Sequence, residues 1–327
     1  PQGYLPLREA ICTHLLEPKN VVCSPDNLLI TTGGLETMNL LCQIYINPGD
    51  VILVETPTFT HCVEVFEMFE AQCVSVVCDD QGMVMDDVEA KIKQYHPKMI
   101  YVVPTFQNPT GKTLPTERRR RLAEIGSEYD VIVIEDDPYR DIRYSGEDLP
   151  LIKTFDETGH TVVASSFSKI FSPGARLGYV LATPELTELF YQMQTATIAH
   201  TSMVTQVMCA EFFDRGYYPA HLQKTCEIHR ERRDTMMECL DEFFPVGTKH
   251  TYPDGGLFTW VELPNDINAT TLLTEAQERL VTYVAGEGFF TDPGVGANTM
   301  RLCFSAVPPE KIELGMRRLG DLIQSKM

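Results

Sequence analysis

A lysine and an arginine seven residues apart lie in the stretch SSFSKIFSPGARLGY, residues 165–179. Lys169 follows a cluster of serines, and Arg176 follows a Pro-Gly turn. An unprotonated lysine amine can attack a carbonyl carbon and form a Schiff base, whereas an arginine binds phosphate or carboxylate through paired hydrogen bonds. A lone lysine in a loop is more commonly a solvated charge. These two residues therefore indicate a reactive site only if other residues complete it.

Two further stretches place suitable groups where strands are expected to end. TTGGLETMNLL (31–41) runs from a strand end through two glycines into a helix, whose first backbone N–H groups can bind an anion. IEDDPYRD (134–141) places Asp136 and Tyr139 across a proline-containing turn at the carboxyl end of an apolar strand, where ligands bind in open α/β sheets. Each stretch taken alone is equally compatible with a plain turn.

The stretch PTFQNPTGKT (104–113) raises the alternative of a nucleotide-binding P-loop. That motif requires a glycine five positions before the glycine of GKT, and Phe106 occupies the position. Pro109 also removes a backbone N–H from a loop that would have to surround phosphates. The sequence therefore argues against an ATPase.

One ligand matches all the groups expected at the three strand ends: an anion-binding helix start, a carboxylate with a phenol, and a lysine with an arginine. Pyridoxal phosphate carries an aldehyde for the lysine, a basic ring nitrogen for the carboxylate and a phosphate for the arginine and the helix N-terminus. The combination predicts a pyridoxal phosphate site.

The order of motifs along the chain is specific: TTGGLE, PTF, QNPTG, EDDPY, SFSKIFSPGARLGY, PDGGLF and MRLCFS. It resembles the class I/II aminotransferases of PLP fold type I, and within them it is similar to the 2-aminoadipate/aromatic subgroup. NPTG and SFSK with the following arginine are strong motifs, whereas PTF and GGLE are weak individually. The resemblance runs from QGYLPLREAI to the last helix. It implies a three-layer α/β/α domain with a mostly parallel sheet, plus a smaller C-terminal α+β domain.

The resemblance assigns the catalytic roles to four residues. Lys169 matches the lysine that forms the Schiff base and moves the substrate's proton. Asp136 matches the carboxylate that faces the pyridine nitrogen. Tyr139 and Asn108 match the pair that hydrogen-bonds the ring's phenolate oxygen, and Asn108 is also expected to contact the substrate.

The resemblance also implies contacts with the phosphate, the ring face and the substrate. Phe59 would stack on the ring, unless it is an ordinary core residue. Arg301 in MRLCFS would bind the substrate's α-carboxylate, unless it is a surface strand residue. The expected phosphate ligands are Ser166, Ser168, Arg176 and the backbone N–H groups of Gly34 and Leu35, with a turn residue as the alternative for Ser168.

Two departures from the family pattern bear on the site. Many relatives carry serine and a polar residue at the positions of Gly34 and Leu35, so more of the phosphate binding would fall to Arg176 and Ser166. The family also has a further N-terminal segment that helps to close the site and carries a tyrosine that reaches the partner subunit's phosphate. Because the chain begins at Pro1, we expect that segment to be missing.

The arrangement of apolar runs agrees with an α/β fold. Short β-branched runs alternate with helical patterns over about 36–47, 60–70, 86–95 and 117–128, which predicts a doubly wound sheet. The strand candidates are LLITTG, VILVE, CVSVVC, MIYVV, VIVIED, TVVASSF and GYVLA. Long helical runs follow, and then a tail that mixes strands with a closing helix. We therefore expect a large domain over 1–215 and a small one over 216–327.

Composition narrows the class of protein. The 327 residues carry a formal net charge of −19, which disfavours binding to nucleic acid or to an anionic membrane. No apolar run approaches the roughly 18 residues of a membrane span. The ten cysteines are scattered and form no CxxC pair, which is typical of free thiols in the cytoplasm. The eight histidines show no metal-binding spacing.

Together with the resemblance, these observations predict a cytoplasmic PLP-dependent aminotransferase acting on an L-amino acid and a 2-oxo acid by ping-pong chemistry. The resemblance also implies a homodimer, because the family builds each active site from two subunits. A carbon–sulfur β-lyase or a decarboxylase on the same fold is the nearest alternative. A non-catalytic ligand-sensing domain is a second alternative, because aminotransferase-like domains also occur fused to DNA-binding regions.

Overall fold

A computed structural model describes residues 2–264 and 267–327 of the chain. The helices of this part are α1 (Leu5–Ile11), α2 (Gly34–Tyr45), α3 (Thr60–Met68), α4 (Met85–Tyr95), α5 (Thr116–Tyr129), α6 (Pro184–Ile198), α7 (Met203–Asp214), α8 (Tyr217–Phe243), α9 (Ala269–Glu278) and α10 (Pro309–Gln324). The strands are β1 (Leu28–Thr31), β2 (Val51–Val54), β3 (Gln72–Ser75), β4 (Cys78–Asp79), β5 (Gly82–Met83), β6 (Met99–Val102), β7 (Ile132–Asp136), β8 (Thr161–Ser166), β9 (Gly178–Leu181), β10 (Lys249–His250), β11 (Phe258–Glu262), β12 (Val284–Ala285) and β13 (Thr299–Cys303).

A seven-stranded sheet in the order β1-β9-β8-β7-β6-β2-β3 forms the centre of the large domain. The pairs from β3 through β8 are parallel, and only β9 runs against its neighbours β8 and β1. Every predicted strand of this region is present, and all but the edge strand β3 are largely buried within the sheet. The prediction of a mostly parallel α/β sheet is confirmed.

Helices cover both faces of this sheet. In β2, Ile52 and Val54 pack into the core beneath α2, α3 and α6, whereas Val51 and Leu53 pack into the core beneath α4 and α5. This alternation follows from the two-residue period of a strand. The result is the predicted three-layer α/β/α arrangement.

The reversed strand β9 begins where its neighbours β1 and β8 end. Its first residue, Gly178, pairs with Ser166 on β8 and with Thr31 on β1. A Cβ atom at Gly178 would lie 2.7 Å from the Ser165 carbonyl oxygen and 2.8 Å from the Thr31 hydroxyl. Glycine therefore allows the three strand ends to approach closely. The loop between β8 and β9 and the start of α2 lie at this same end of the sheet.

The C-terminal part contains a four-stranded antiparallel sheet in the order β10-β11-β13-β12. Helix α8, with 27 residues, precedes this sheet and packs against α10. Helix α10 is amphipathic and buries Ile312, Met316 and Leu319 along one face. The hydrophobic side chains of this region belong to one continuous cluster with those of α1 and α7.

Candidate active site

Lys169 lies in the loop that leaves β8, one residue after a serine turn. The Ser166 hydroxyl donates to the Ser168 hydroxyl over 3.0 Å and accepts from the Ser168 backbone N–H over 3.2 Å. The half-buried Lys169 amine lies 5.9 Å from the centre of the Tyr139 ring. Burial lowers the pKa of the Lys169 amine, and the positive charges of Arg301 and Arg176 act in the same direction. A larger fraction of this amine is therefore unprotonated at neutral pH than in an ordinary lysine.

Arg176 closes the same loop and lies against the start of α2. It adopts a left-handed backbone conformation, with φ of 50°. Its guanidinium covers Gly33, where a Cβ atom would lie 2.5 Å from Nη2 of Arg176. Helix α2 begins at Gly34, and no side chain in the described part of the chain caps its first turn. The exposed Arg176 guanidinium and the N-terminus of α2 therefore lie side by side, an arrangement that suits an anion.

Asp136 ends β7 and is buried, with 7% of its surface exposed. The Tyr101 hydroxyl donates to Oδ2 of Asp136 over 2.7 Å. Burial raises the pKa of the Asp136 carboxyl to about 7, although the Tyr101 hydrogen bond lowers it in part. A carboxylate in this position is stabilised by a cation, and a protonated ring nitrogen would supply one.

Tyr139, Asn108 and Arg301 form a chain of hydrogen bonds beside the lysine. Nδ2 of Asn108 donates to the Tyr139 hydroxyl over 3.4 Å, and Nη1 of Arg301 donates to Oδ1 of Asn108 over 2.8 Å. Burial raises the pKa of the Tyr139 phenol, so the group enters the site as a hydrogen-bond donor. The chain joins the end of β7 to β13 in the C-terminal sheet.

Aromatic rings hold the Arg301 guanidinium in place. Its central carbon lies 4.1 Å from the Phe258 ring centre and 5.1 Å from that of Phe289. Its Nε atom is buried and has no acceptor within the described residues. Burial lowers the pKa of this guanidinium, which nonetheless remains a cation. A half-desolvated arginine with unused hydrogen-bonding capacity is suited to a carboxylate ligand.

The remaining predicted residues line the same region. Gly34 opens α2, with the position of its missing Cβ atom 3.8 Å from Cβ of Ser166. Leu35, in the first turn of α2, packs against the core beneath the sheet. Phe59 precedes α3 and makes an edge contact with His61. The adjacent Thr58 N–H donates to the Phe289 carbonyl over 2.9 Å, which holds the Phe59 loop near Arg301.

Tyr101 and the two phenylalanines beside Arg301 were not predicted from the sequence. Tyr101 is the one aromatic residue in the aliphatic run MIYVV, which was a signal for a polar function in a buried strand. Phe258 and Phe289 resemble any other core residue in sequence. Their position against Arg301 arises from the pairing of β11 with β13 and from the turn before Phe290.

The chemistry of these groups suits pyridoxal phosphate. The helix start with Arg176 suits a phosphate, the buried Asp136 suits a protonated ring nitrogen, and the unpartnered Arg301 Nε is a donor suited to a substrate carboxylate. In the described part of the chain, no group of three or more histidine, cysteine, aspartate or glutamate residues could hold a metal ion. No helix there is both long and apolar enough to cross a membrane.

An α/β sheet with a desolvated lysine and a buried aspartate at its strand ends agrees with the PLP-dependent enzymes of fold type I. The family model for aminotransferase class I and II matches residues 1–319, and the chain belongs to this family.

Individual relatives agree with the family assignment. The chain is 38% identical over its whole length to aromatic-amino-acid aminotransferase 1 of Thermococcus litoralis, of which it covers 79%. It is 32% identical over 99% of its length to the 2-aminoadipate transaminase of Thermus thermophilus, covering 80% of that protein. The structure of Pyrococcus horikoshii kynurenine aminotransferase in complex with PMP superposes with a TM-score of 0.95 at 37% identity, covering the whole chain and 81% of that structure. The protein is thus a PLP-dependent aminotransferase that moves an amino group between an L-amino acid and a 2-oxo acid by a ping-pong mechanism.

Proposed function

We propose that Lys169 holds the cofactor through its amine and then carries the substrate's Cα proton. The observation that supports this role most directly is the position of the half-buried amine over Tyr139, beside the Asn108–Arg301 hydrogen bond. When bound, pyridoxal phosphate supplies an aldehyde that takes up the amino group and a protonated ring that stabilises charge at Cα. The lowered pKa of Lys169 keeps its nitrogen able to accept a proton near neutral pH.

The other residues bind and orient the cofactor and the substrate. Arg301 binds the substrate's α-carboxylate through N–H groups that its hydrogen bond to Asn108 leaves free. Asp136 holds a proton at the ring nitrogen, because an ionised carboxylate at a buried position requires a nearby cation. Tyr139 and Asn108 donate hydrogen bonds to the ring oxygen. Arg176, Ser166 and the first N–H groups of α2 at Gly34 and Leu35 bind the phosphate, with Ser168 as a further donor, while Phe59 packs on the ring face.

The test of this assignment is the Lys169→Ala variant, with Lys249→Ala as a control because Lys249 is an exposed lysine of the distant strand β10. Purified wild type and control, incubated with pyridoxal phosphate, should show an absorbance band near the visible edge that shifts on addition of an amino acid. Lys169→Ala should lose the shift and nearly all formation of 2-oxo acid. Normal turnover by Lys169→Ala would refute the assignment.

Stoichiometry separates transamination from the alternatives. With one equivalent of amino acid and no 2-oxo acid, an aminotransferase releases one equivalent of 2-oxo acid and no ammonia. A β-lyase releases ammonia, a decarboxylase releases carbon dioxide, and a ligand-sensing domain releases no product.

We further propose that the amino donors include aromatic L-amino acids. Two features support this: the 38% identical relative is named for aromatic amino acids, and Trp260 packs edge-on against Phe289 next to Arg301. A panel of L-phenylalanine, L-tyrosine, L-2-aminoadipate and L-alanine with 2-oxoglutarate tests the proposal through kcat/KM. A preference for alanine over both aromatic donors would contradict it.

We propose that the enzyme is a homodimer. Helices α6 and α7 leave large apolar side chains in solvent, including Leu189 at 41%, Val204 at 70% and Met208 at 57% exposure. Apolar patches of this kind mark protein interfaces, and a second copy fits the family's two-subunit sites. Light scattering should give twice the chain mass for the wild type and a shift toward monomer for Val204→Asp. A monomeric wild type at micromolar concentration would refute the proposal.

We also propose a domain boundary near residue 215 and a cytoplasmic location. All strands of the seven-stranded sheet precede α8, and all strands of the four-stranded sheet follow it. The ten cysteines are free, as is usual in a reducing compartment. Limited proteolysis tests the domain boundary, with cleavage expected near Gly216, which joins α7 to α8 with φ of 70°. Cell fractionation tests the cytoplasmic location.

A further inference from the structure

Cys12 and Cys23 lie side by side and do not belong to the active-site residues described above. Their Sγ atoms are 2.7 Å apart. A disulfide bond measures about 2.05 Å, so the two sulfurs are separated by only about 0.7 Å more than a covalent bond requires. The ten cysteines of the chain are all free in this structure.

The local backbone brings these two thiols together. Cys12 begins a π-helical turn, Cys12–Leu16, that continues α1. Asn20 then adopts the left-handed conformation with φ of 60°, and the Val21 N–H donates to the Leu16 carbonyl over 3.2 Å. This reversal directs the chain back along the helical turn. Cys23 therefore faces Cys12 across a tight loop without any rearrangement of α1.

The two thiols differ in their access to solvent. Cys12 is buried, with 3% of its surface exposed. Cys23 is half-buried and follows Val22, which is 97% exposed. The Cys23 thiol donates a hydrogen bond to the sulfur of Cys12, and this bond lowers the pKa of Cys12 and raises the pKa of Cys23. The pair thus combines an accessible sulfur with a buried one that can act second.

We propose that Cys12 and Cys23 form a reversible disulfide, a modification site that is separate from the aminotransferase reaction. A low-molecular-weight disulfide such as oxidised glutathione is the oxidant. The Cys23 thiol passes its proton to the sulfur of Cys12, to which it already donates, and attacks one glutathione sulfur, which forms a mixed disulfide and releases one glutathione thiolate. The Cys12 sulfur then loses its proton to solvent, attacks the Cys23 sulfur and releases the second glutathione. Two protein thiols are oxidised and one glutathione disulfide is reduced.

The bond would join the end of α1 to the segment that leads into β1. Nη1 of Arg8 already connects these parts by donating to the Pro25 carbonyl over 2.6 Å. Strand β1 continues into Gly33 and the start of α2. A covalent link therefore stabilises the connection that precedes the anion-binding helix start, and it restricts the unfolded chain.

Peptide mapping of the holoenzyme tests the proposal. The protein is equilibrated with defined ratios of reduced and oxidised glutathione, quenched in acid, alkylated and digested. Trypsin cuts after Lys19, between the two cysteines, and a second digestion at acidic residues cuts after Asp26 and isolates Cys23 from later cysteines. Under oxidising conditions the two peptides should be recovered linked, and excess reduced glutathione should separate them.

Matched variants test whether the disulfide raises the unfolding temperature. Oxidised wild type should unfold at a temperature several degrees above reduced wild type, whereas Cys12→Ser and Cys23→Ser should show no such shift. Cys226→Ser, which removes another half-buried thiol, should retain the full shift. Recovery of Cys12 and Cys23 only as separate alkylated or glutathione-modified peptides would overturn the proposal. Linked peptides without a thermal shift would overturn the stabilising role.

Discussion

Asp136→Asn provides the sharpest test of the electrostatics of the site, because it replaces a buried carboxylate by a neutral group of the same shape. The amide oxygen can still accept the hydrogen bond that Tyr101 donates over 2.7 Å. The variant therefore removes the charge and little else. It should raise the stability of the cofactor-free enzyme and lower the turnover of the cofactor-bound enzyme.

In the cofactor-free enzyme the ionised Asp136 carboxylate destabilises the folded state. Burial raises the Asp136 pKa from 3.8 to about 7, so the folded chain retains a proton that the unfolded chain has lost between these values. Stability consequently falls as the pH rises through that window, by about 1.4 kcal/mol per pH unit. The window spans about three pH units, which sets a maximum penalty of roughly 4 kcal/mol above pH 7.

The assay is urea unfolding of the cofactor-free wild type and variant from pH 5 to pH 8. The advantage of Asp136→Asn should grow by about 2 kcal/mol between pH 5 and pH 7 and level off above pH 7. Asp156→Asn is a control of opposite sign: although burial opposes it, the Lys153 ion pair lowers the pKa of Asp156, so this variant should lose stability at neutral pH. In the cofactor-bound enzyme Asp136→Asn should lower kcat by about 10²- to 10³-fold. Wild-type and Asp136→Asn unfolding curves that run parallel at every pH would refute the reasoning.

Three further substitutions test neighbouring parts of the site. Tyr101→Phe removes the donor to the buried carboxylate, so cofactor affinity measured by titration should fall about tenfold, and an unchanged affinity would contradict this. Gly33→Ala places a Cβ atom 2.5 Å from Nη2 of Arg176 at a φ of 84°, so the cofactor should dissociate faster than from the control Gly174→Ala, whose nearest neighbour is 3.9 Å away. Arg301→Lys removes the paired hydrogen bonds to the substrate carboxylate and should lower kcat/KM by roughly 10- to 100-fold, chiefly through KM; an effect confined to kcat would argue against carboxylate binding.

Most secondary structure could be predicted because the sequence patterns are local. Each of the seven strand candidates between residues 28 and 182 is β-branched and apolar, and each overlaps a strand of the central sheet. The helical patterns at 60–70 and 86–95 became α3 and α4 within two residues at each end. The direction of β9 was not predictable in the same way. A strand that runs against its neighbours has the same composition as a parallel one, and only its pairing with β1 and β8 reveals it.

The chemistry of Lys169, Asp136 and Arg176 was also indicated by the sequence, because each stands at a strand end within a recognisable motif. The tertiary structure decided which groups act on them. Tyr101 reaches Asp136 across two neighbouring parallel strands, and Arg301 reaches Asn108 from another sheet, 193 residues away. Such contacts depend on how sheets pack, and burial, which sets the pKa of Lys169 and Asp136, exists only after that packing. The sequence by itself thus determined the reactive residue types, whereas tertiary packing decided their protonation and their partners, because both arise from desolvation and long-range contact.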